Sequence, residues 1–460
     1  MILINPIERR LNRPYIQFIC TLILATYFLV LAISFITNVR GRTIFGPYLG
    51  ADFGAFYIAG RIFNTQSPDR IYDPRLHDRL YQEQFPDAPA ENGLPYVNAP
   101  FFILPFTVLA RLPYSWAYLL WLALSFVLYV AGLSLLWRSL KGIPKDAWLM
   151  ALLLSLSFMP FLVECLAGGQ TSAIGFFCLA VAIVSERRGH YILSGLALSL
   201  CTYKPTLLVL MLPMLVITRR YLTFVGFVAG CGLLAVVSIL SVGRQGCVGY
   251  INSLLHFANA STSTVSTLRS WKYVDINSFF RPFLENVPSL RWTLTGAVFL
   301  VVLPFLFRLW WKTDRKQFSD QSLTWALTIT WTLVLNLYLG IYDTTLVVLS
   351  VLLLTDVFYR RELPLSPAYK IMLVLLYLIP WITQPVARLS GVQLYTLVLA
   401  SLGIYQVVQA KALIELDRVC TRRPAHPGPF HTSDPGSIDS ILHQPEQSRK
   451  RGYAGWPLRE

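Results

Sequence analysis

The chain has 460 residues, of which 55% are hydrophobic and only 14% charged, with a formal net charge of +15 at neutral pH. A soluble protein carries roughly a quarter charged residues, so this composition excludes an ordinary soluble domain. Most of the Lys and Arg sit in short loops beside apolar runs, which reads as the basic bias of cytoplasmic loops and not as a nucleic-acid surface.

The apolar residues come in repeated runs of about 13 to 24, the pattern of a polytopic helical membrane protein. The run after Arg13 is too long for the apolar region of a signal peptide. "SFITNVRGR" lacks a small-residue cleavage site, so a retained first helix is predicted over 16–37. Behind it comes "YLGADFGAFYIAGRIF", 48–63, which sets the carboxylate of Asp52 among Phe53, Phe56 and Tyr57 at a membrane edge. A carboxylate there is partly desolvated and suited to take a proton. The competing role is an N-cap for the helical segment that follows. Tyr57, Arg61, Tyr72, Asp73 and Gln84 share this first loop and are candidates to orient a polar substrate. His77 and His256 show no spacing of metal ligands, and no metal or other cofactor is called for.

"APFFILPFTVLARLP", 99–113, is apolar but short and punctuated by Pro100, Pro105 and Pro113. It is either a further crossing or a re-entrant segment. Further spans are predicted over 114–137, 147–165, 170–185, 190–203, 205–217, 221–242, 291–311, 321–339, 342–358, 367–384 and 391–413. If 99–113 does not cross, the basic loops "RSLKGIPK" (138–145), "ERRGH" (186–190), "TRRY" (218–221), "KTDRK" (312–316) and "YRRE" (359–362) fall inside with both termini. If it crosses, they all move outside, against the positive-inside rule. Twelve crossings of the cytoplasmic membrane with cytoplasmic termini are therefore expected. Residues 1–415 form the membrane domain, its extracytoplasmic loop covers 38–113, and 416–460 is a disordered basic cytoplasmic tail. Such a tail is either merely solvated or bound to anionic lipid.

This topology puts five polar stretches on one outer face: the 38–113 loop, "GGQTS" (168–172), "TYKPT" (202–206), the 243–290 loop and "LGIYDTT" (339–345). In the third, Lys204 is a cation on the side that is normally poor in them. It is a partner for a lipid phosphate or a snorkelling side chain. Gln170 hydrogen-bonds a sugar or caps the next helix. Asp343, beside Tyr342, is either a second carboxylate of the site or a helix cap. The seven cysteines, at 20, 165, 178, 201, 231, 247 and 420, lie mostly within apolar spans and show no C-x-x-C spacing, so neither a disulfide framework nor a thiolate metal site is expected.

The succession "GADFGAFYIAGRIF", "NAPFFILPFTVLARLPYSWAYLLW", "GGQTSAIGF", "SGLALSLCTYKP" and "YDTTLVVL" resembles glycosyltransferase family 87 over residues 45 to 355. The resemblance implies an all-α architecture of the GT-C type, with interfacial helices in the first extracytoplasmic loop and an acid there as catalytic base. Asp52 matches that acid. The implied reaction is inverting transfer of a hexose, mannose above all, from a polyprenyl-phosphate donor to a lipid or glycan acceptor at the outer face, with no nucleic acid involved. Lys204 would then hold the donor phosphate, and Gln170, Tyr342 and Asp343 would line the pocket. Two other readings compete. One is a secondary transporter of a small polar solute or lipid-linked glycan, for which Glu164 is the main ionisable candidate. The other is a non-catalytic lipid-binding or assembly protein on the same scaffold.

Overall fold

A computed structural model describes residues 12–39, 41–45, 48–50, 52–87, 95–262, 270–313 and 318–422. The tail expected from residue 416 lies almost wholly outside that range, as does the side chain of His256. Every helix or strand element among the described residues is helical.

Helix α1, Arg13–Thr37, starts at Asn12, whose side chain accepts from the Tyr15 N–H. The first loop folds into α2, Phe53–Thr65, and α3, Pro74–Gln84. A 3-10 turn, Pro100–Ile103, then runs into α4, Leu104–Leu109. These last two make a ten-residue apolar stretch, about 15 Å long at helical rise, where a bilayer core is about 30 Å thick. Gly60 seats α2 on this stretch, because a Cβ there would meet the Phe106 carbonyl oxygen at 2.3 Å.

Next come α5, Tyr114–Ser139, and α6, Trp148–Leu156, which turns by 56° into a π-helix, Pro160–Ala167. Helices α7, Ser172–Arg187, and α8, Tyr191–Leu200, follow, then the short α9, Met211–Ile217, and the long α10, Tyr221–Thr262, bent at Gly243. The rest are α11, Ile276–Phe280; α12, Pro288–Lys312; α13, Phe318–Val334; α14, Val347–Arg360; α15, Pro367–Ser390; and α16, Leu394–Arg422.

Among the described residues, seven helices are long and apolar enough to cross a membrane, eight if the bent pair counts as one. They coincide with eight of the twelve expected spans. The other four are shorter. Ser172–Arg187 has 16 residues and Phe318–Val334 has 17. The run 190–217 breaks into two short pieces at Lys204 and Pro205, where the chain leaves helical geometry (φ −138°, ψ 86°). Small residues seat the first of these pieces, α8, tightly against α10. A Cβ on Gly195 would meet the Thr223 carbonyl oxygen at 2.0 Å, and one on Gly226 the Ile192 carbonyl oxygen at 2.3 Å.

Polar contacts gather at the two ends of the helices. At one end the Tyr114 hydroxyl donates to the Leu49 carbonyl, 2.7 Å, and the Ser172 hydroxyl to Asp343, 2.8 Å. At the other, Arg187 donates to the Ser139 hydroxyl, 2.9 Å, and the Gly142 N–H to Asp356, 2.6 Å. Buried Glu186 pairs there with Arg220, and Arg13 with Asp146. Because α5, α7 and α14 each run from the first group to the second, the basic loops share one end and the stretches around Asp52 share the other.

Candidate active site

Asp52 stands one residue before α2 with helical backbone angles (φ −80°, ψ −24°), and its side chain makes no capping bond. Its backbone N–H donates to the Gly168 carbonyl, 3.0 Å, and its Oδ2 accepts from Gln170 Nε2 at 2.8 Å. Oδ1 has no hydrogen-bond partner among the described residues, and the side chain is half-buried. Gln170, likewise, spends its amide on Asp52 and does not cap α7.

Aromatic side chains from α5 fix both strands of this contact. The Tyr118 hydroxyl donates to the Ala167 carbonyl, 2.8 Å, and Trp121 Nε1 to the Gly169 carbonyl, 3.0 Å. Phe53, fully buried, stacks on Trp121 at 6.1 Å and packs on Tyr114 and Tyr118. Gly169 has φ +79°, and a Cβ there would approach Phe53 Cβ to 2.6 Å. Only glycine suits that turn.

A second cluster lies across "GGQTS". Lys204 forms an ion pair with Asp343, which is fully buried and also accepts from Ser172. Lys204 Nζ sits 4.4 Å from the centroid of the Tyr342 ring, so the ammonium turns inward and does not snorkel to headgroups. Asp343 makes no capping bond within the 3-10 segment Ile341–Leu346. The Tyr203 hydroxyl donates to the Thr171 carbonyl at 3.1 Å, and Asn98 Nδ2 to the Tyr203 carbonyl at 3.3 Å. Residues 168–172 thus touch Asp52 on one side and the Lys204–Asp343 pair on the other.

Three groups at this end were not named for the transfer reaction from the sequence. Glu164, on the π-helix, accepts from Gln384 Nε2 at 2.7 Å, and the charges of Lys272 and Asp52 bear on it. Lys272 belongs to a segment fixed by three bonds. Gln393 Nε2 donates to the Trp271 carbonyl, 2.8 Å; the Val274 N–H donates to the Leu339 carbonyl, 2.9 Å; and the Thr396 hydroxyl donates to the Val274 carbonyl, 2.8 Å. Asp275 locks the same segment by accepting from the Ser278 N–H, the Ser278 hydroxyl and the Leu339 N–H. Burial pushes its carboxyl up to about 6 against those bonds. The D-x-x-S spacing at 275–278 was the sequence signal for this cap. The π-helix itself is an element that recurs at functional sites.

Other loop candidates hold the fold. The Tyr57 hydroxyl donates to the Leu112 carbonyl, 2.9 Å, and Arg61 Nη1 to Gln84 Oε1, 3.3 Å; neither bond touches Asp52 or Lys204. The Tyr72 hydroxyl donates to the Asn98 carbonyl, 2.6 Å. Asp73 caps α3 by accepting from the N–H groups of Arg75 and Leu76. The Arg70 guanidinium bonded to Asp73 holds that carboxyl below its ordinary value. Burial drives the buried His77 toward its neutral form, with Nε2 3.3 Å from the Ala55 carbonyl.

No curated protein and no solved structure matches this chain. The sequence model of glycosyltransferase family 87 matches residues 96–336, a stretch that contains Glu164, Gln170 and Lys204 and ends short of Tyr342 and Asp343, while Asp52 precedes it. That match spans just over half of the chain and is narrower than the 45–355 read from the motifs. A polytopic helical scaffold, with these polar groups gathered at one end, carries the family's sequence through its centre: the chain belongs to glycosyltransferase family 87.

Proposed function

We propose that this glycosyltransferase moves a hexose, mannose above all, from a polyprenyl-phosphate donor to a lipid or glycan acceptor at the outer face of the cytoplasmic membrane, with inversion at the anomeric carbon. The acceptor oxygen forms the new bond to C1 as the bond from C1 to the phosphate oxygen breaks. The acceptor proton goes to Asp52, and polyprenyl phosphate leaves with the electron pair. The observation that carries this reading is the state of Asp52: half-buried, capping nothing, with Oδ2 on Gln170 and Oδ1 unengaged. Gln170 aims the carboxylate, leaving Oδ1 for the acceptor hydroxyl. General-base assistance of this kind is worth about 10²–10⁴ in rate.

Lys204 supplies a donor to the phosphate, and Asp343 fixes its direction from below. Charge developing on the leaving group is thereby met by a preorganised cation. Tyr342 forms the adjacent wall. The short apolar stretch at 100–109 covers a lateral opening for the lipid tail. What supports the outward placement is the basic character of the loops at the opposite end.

The test is transfer of radiolabelled sugar from a panel of polyprenyl-phosphate hexoses into a membrane lipid extract by the purified chain, with the product's anomeric configuration read by NMR. Transfer with inversion is expected. Retention of configuration, or transfer only from nucleotide sugars, would overturn the mechanism.

A further inference from the structure

Among the described residues, the four buried carboxylates engage both of their oxygens. Glu186 accepts from Arg220 and from Trp325 Nε1, and Asp343 from Ser172 and Lys204. Asp356 accepts from the Gly142 N–H and Arg360, and Asp275 from Ser278 and the Leu339 N–H. Glu164 departs from this pattern. Its Oε1 accepts from Gln384 Nε2 at 2.7 Å, but no donor bonds to Oε2 and no cation pairs with it among the described residues. The residue is half-buried, and Oε2 is not sealed off by its neighbours. A neutral amide aims a carboxylate without cancelling its charge, and a charge at membrane depth is costly unless something engages it. Asp52, held by Gln170 on one oxygen and open on the other, is in the same state.

The backbone puts these two acids side by side. Glu164 lies one turn before Gly168, whose carbonyl accepts from the Asp52 N–H at 3.0 Å. The Gly168 N–H donates to the Val163 carbonyl at 2.9 Å, and a Cβ on Gly168 would meet the Glu164 carbonyl oxygen at 2.3 Å. The π-helix also packs along the 3-10 segment Ile341–Leu346, which carries Tyr342. The Tyr342 ring sits between Lys204 Nζ, 4.4 Å from its centroid, and Gly340, where a Cβ would approach Cζ to 2.4 Å. The charges of Glu164 and Asp52 both bear on that tyrosine. With a phosphate at Lys204 and an acceptor at Asp52, the group left to face Glu164 is the hexose between them. Carboxylate chemistry agrees: Oε2 repels a phosphate and finds no donor on a prenyl chain, whereas a sugar hydroxyl gives it a charge-assisted bond.

We propose that Glu164 binds the donor's sugar, Oε2 accepting a hydrogen bond from a hexose hydroxyl while Gln384 holds Oε1. The inference rests on the lipid-phosphate donor proposed above, but it is read by binding and needs no turnover. A chain that prefers sugar-bearing lipid and transfers nothing would defeat the reaction and leave this role standing.

The experiment uses the full chain in a neutral detergent, as wild type, Glu164→Gln, Glu164→Asp and Gln384→Leu. Native mass spectrometry measures binding of polyprenyl-phosphate mannose and glucose, of bare polyprenyl phosphate, and of monodeoxy analogues of the preferred donor, each lacking a different hydroxyl. Thermal unfolding checks the fold. The preference for sugar-bearing over bare lipid is expected to fall about tenfold or more in Glu164→Gln and less in Glu164→Asp, with bare lipid bound as in wild type. One monodeoxy donor should lose a similar factor in wild type and little in Glu164→Gln, a coupling that a purely structural carboxylate does not produce. Gln384→Leu, which frees Oε1, should lower the same preference. An unchanged preference in Glu164→Gln, or equal deoxy losses in both proteins, would overturn the role. So would a wild type that binds sugar-bearing and bare lipid alike. A raised half-saturating concentration of acceptor extract with an unchanged donor preference would move Glu164 to the acceptor and overturn the donor assignment. Should Glu164→Gln not fold, a wild-type preference in both Glu164→Asp and Gln384→Leu would overturn it as well.

Discussion

Replacing Asp52 by Asn separates chemistry from structure, because the two are so unequally loaded on this side chain. The carboxylate caps no helix, and its one side-chain bond is accepted from Gln170 at 2.8 Å. An Asn keeps the size and retains an oxygen for that amide. Folding stability should therefore change by no more than about 1 kcal/mol, the net worth of one hydrogen bond at a half-buried position. Catalysis stands to lose far more. Without a base the rate falls about 10²–10⁴-fold, a barrier increase of roughly 2.7–5.4 kcal/mol. Turnover of labelled polyprenyl-phosphate sugar and thermal unfolding of the same preparations supply the two numbers. Asp52→Ala serves as a reference: it also strands the Gln170 amide and should cost about 1–2 kcal/mol of stability. An Asn variant that turns over within about threefold of wild type would refute the base assignment. A loss of activity that merely tracks a loss of stability would refute it equally.

Lys204→Gln leaves buried Asp343 without its cation and should cost about 3–5 kcal/mol of stability, which Lys204→Gln combined with Asp343→Asn recovers in part. Lys204→Arg should keep more donor use than Lys204→Gln; a donor KM that is the same in Gln and wild type would leave the lysine a structural role only. Asp275 holds its proton up to about pH 6 in the fold, while the unfolded chain releases it near 4. Between those values the native state binds more protons, so this group makes stability fall as pH rises, by on the order of 3 kcal/mol across the window. Unfolding midpoints of Asp275→Asn should lack that slope, and an unchanged slope would shift the effect to another group. Single cysteines at the exposed positions 78 and 285 in a cysteine-free background should react with an impermeant reagent from outside, and those at 141 and 188 only from inside; the reverse pattern would invert the proposed orientation.

The long apolar runs made eight of the spans legible, because a helix such as Tyr114–Ser139 needs only composition and length to be seen. The run at 190–217 reads as two spans and folds as two helical pieces with those bounds, each shorter than a full crossing; the close seat of the first on α10 through Gly195 and Gly226 leaves no mark in hydropathy. Charge bias in the loops grouped five distant stretches correctly at one end, because that rule constrains sidedness without needing contacts. The contacts themselves were out of reach. Gln170 and Asp52 are 118 residues apart, and Lys204 and Asp343 are 139 apart, so no local pattern links them. For that reason an acid that looked like a helix cap proved to be paired with an amide, and a lysine that looked free proved to have a buried counter-ion.

The docking of Asp52 on Gly168 and Gln170 also bears on how the enzyme comes into being. On the proposed mechanism, a nascent chain threaded into the bilayer in order has Asp52, its proton acceptor, in place early, but nothing aims it until the π-helix and the glycine turn have been made. Lys204 stays without its counter-ion until Asp343 emerges, well over a hundred residues later. The proposed mechanism then has catalytic competence acquired late, after the tenth predicted span begins to form, with truncated products released before that point carrying the acid without the activity. On the same mechanism, a chain stalled or cleaved ahead of residue 343 would sit in the membrane as an inert scaffold, unable to spend its sugar donor on a wrong acceptor.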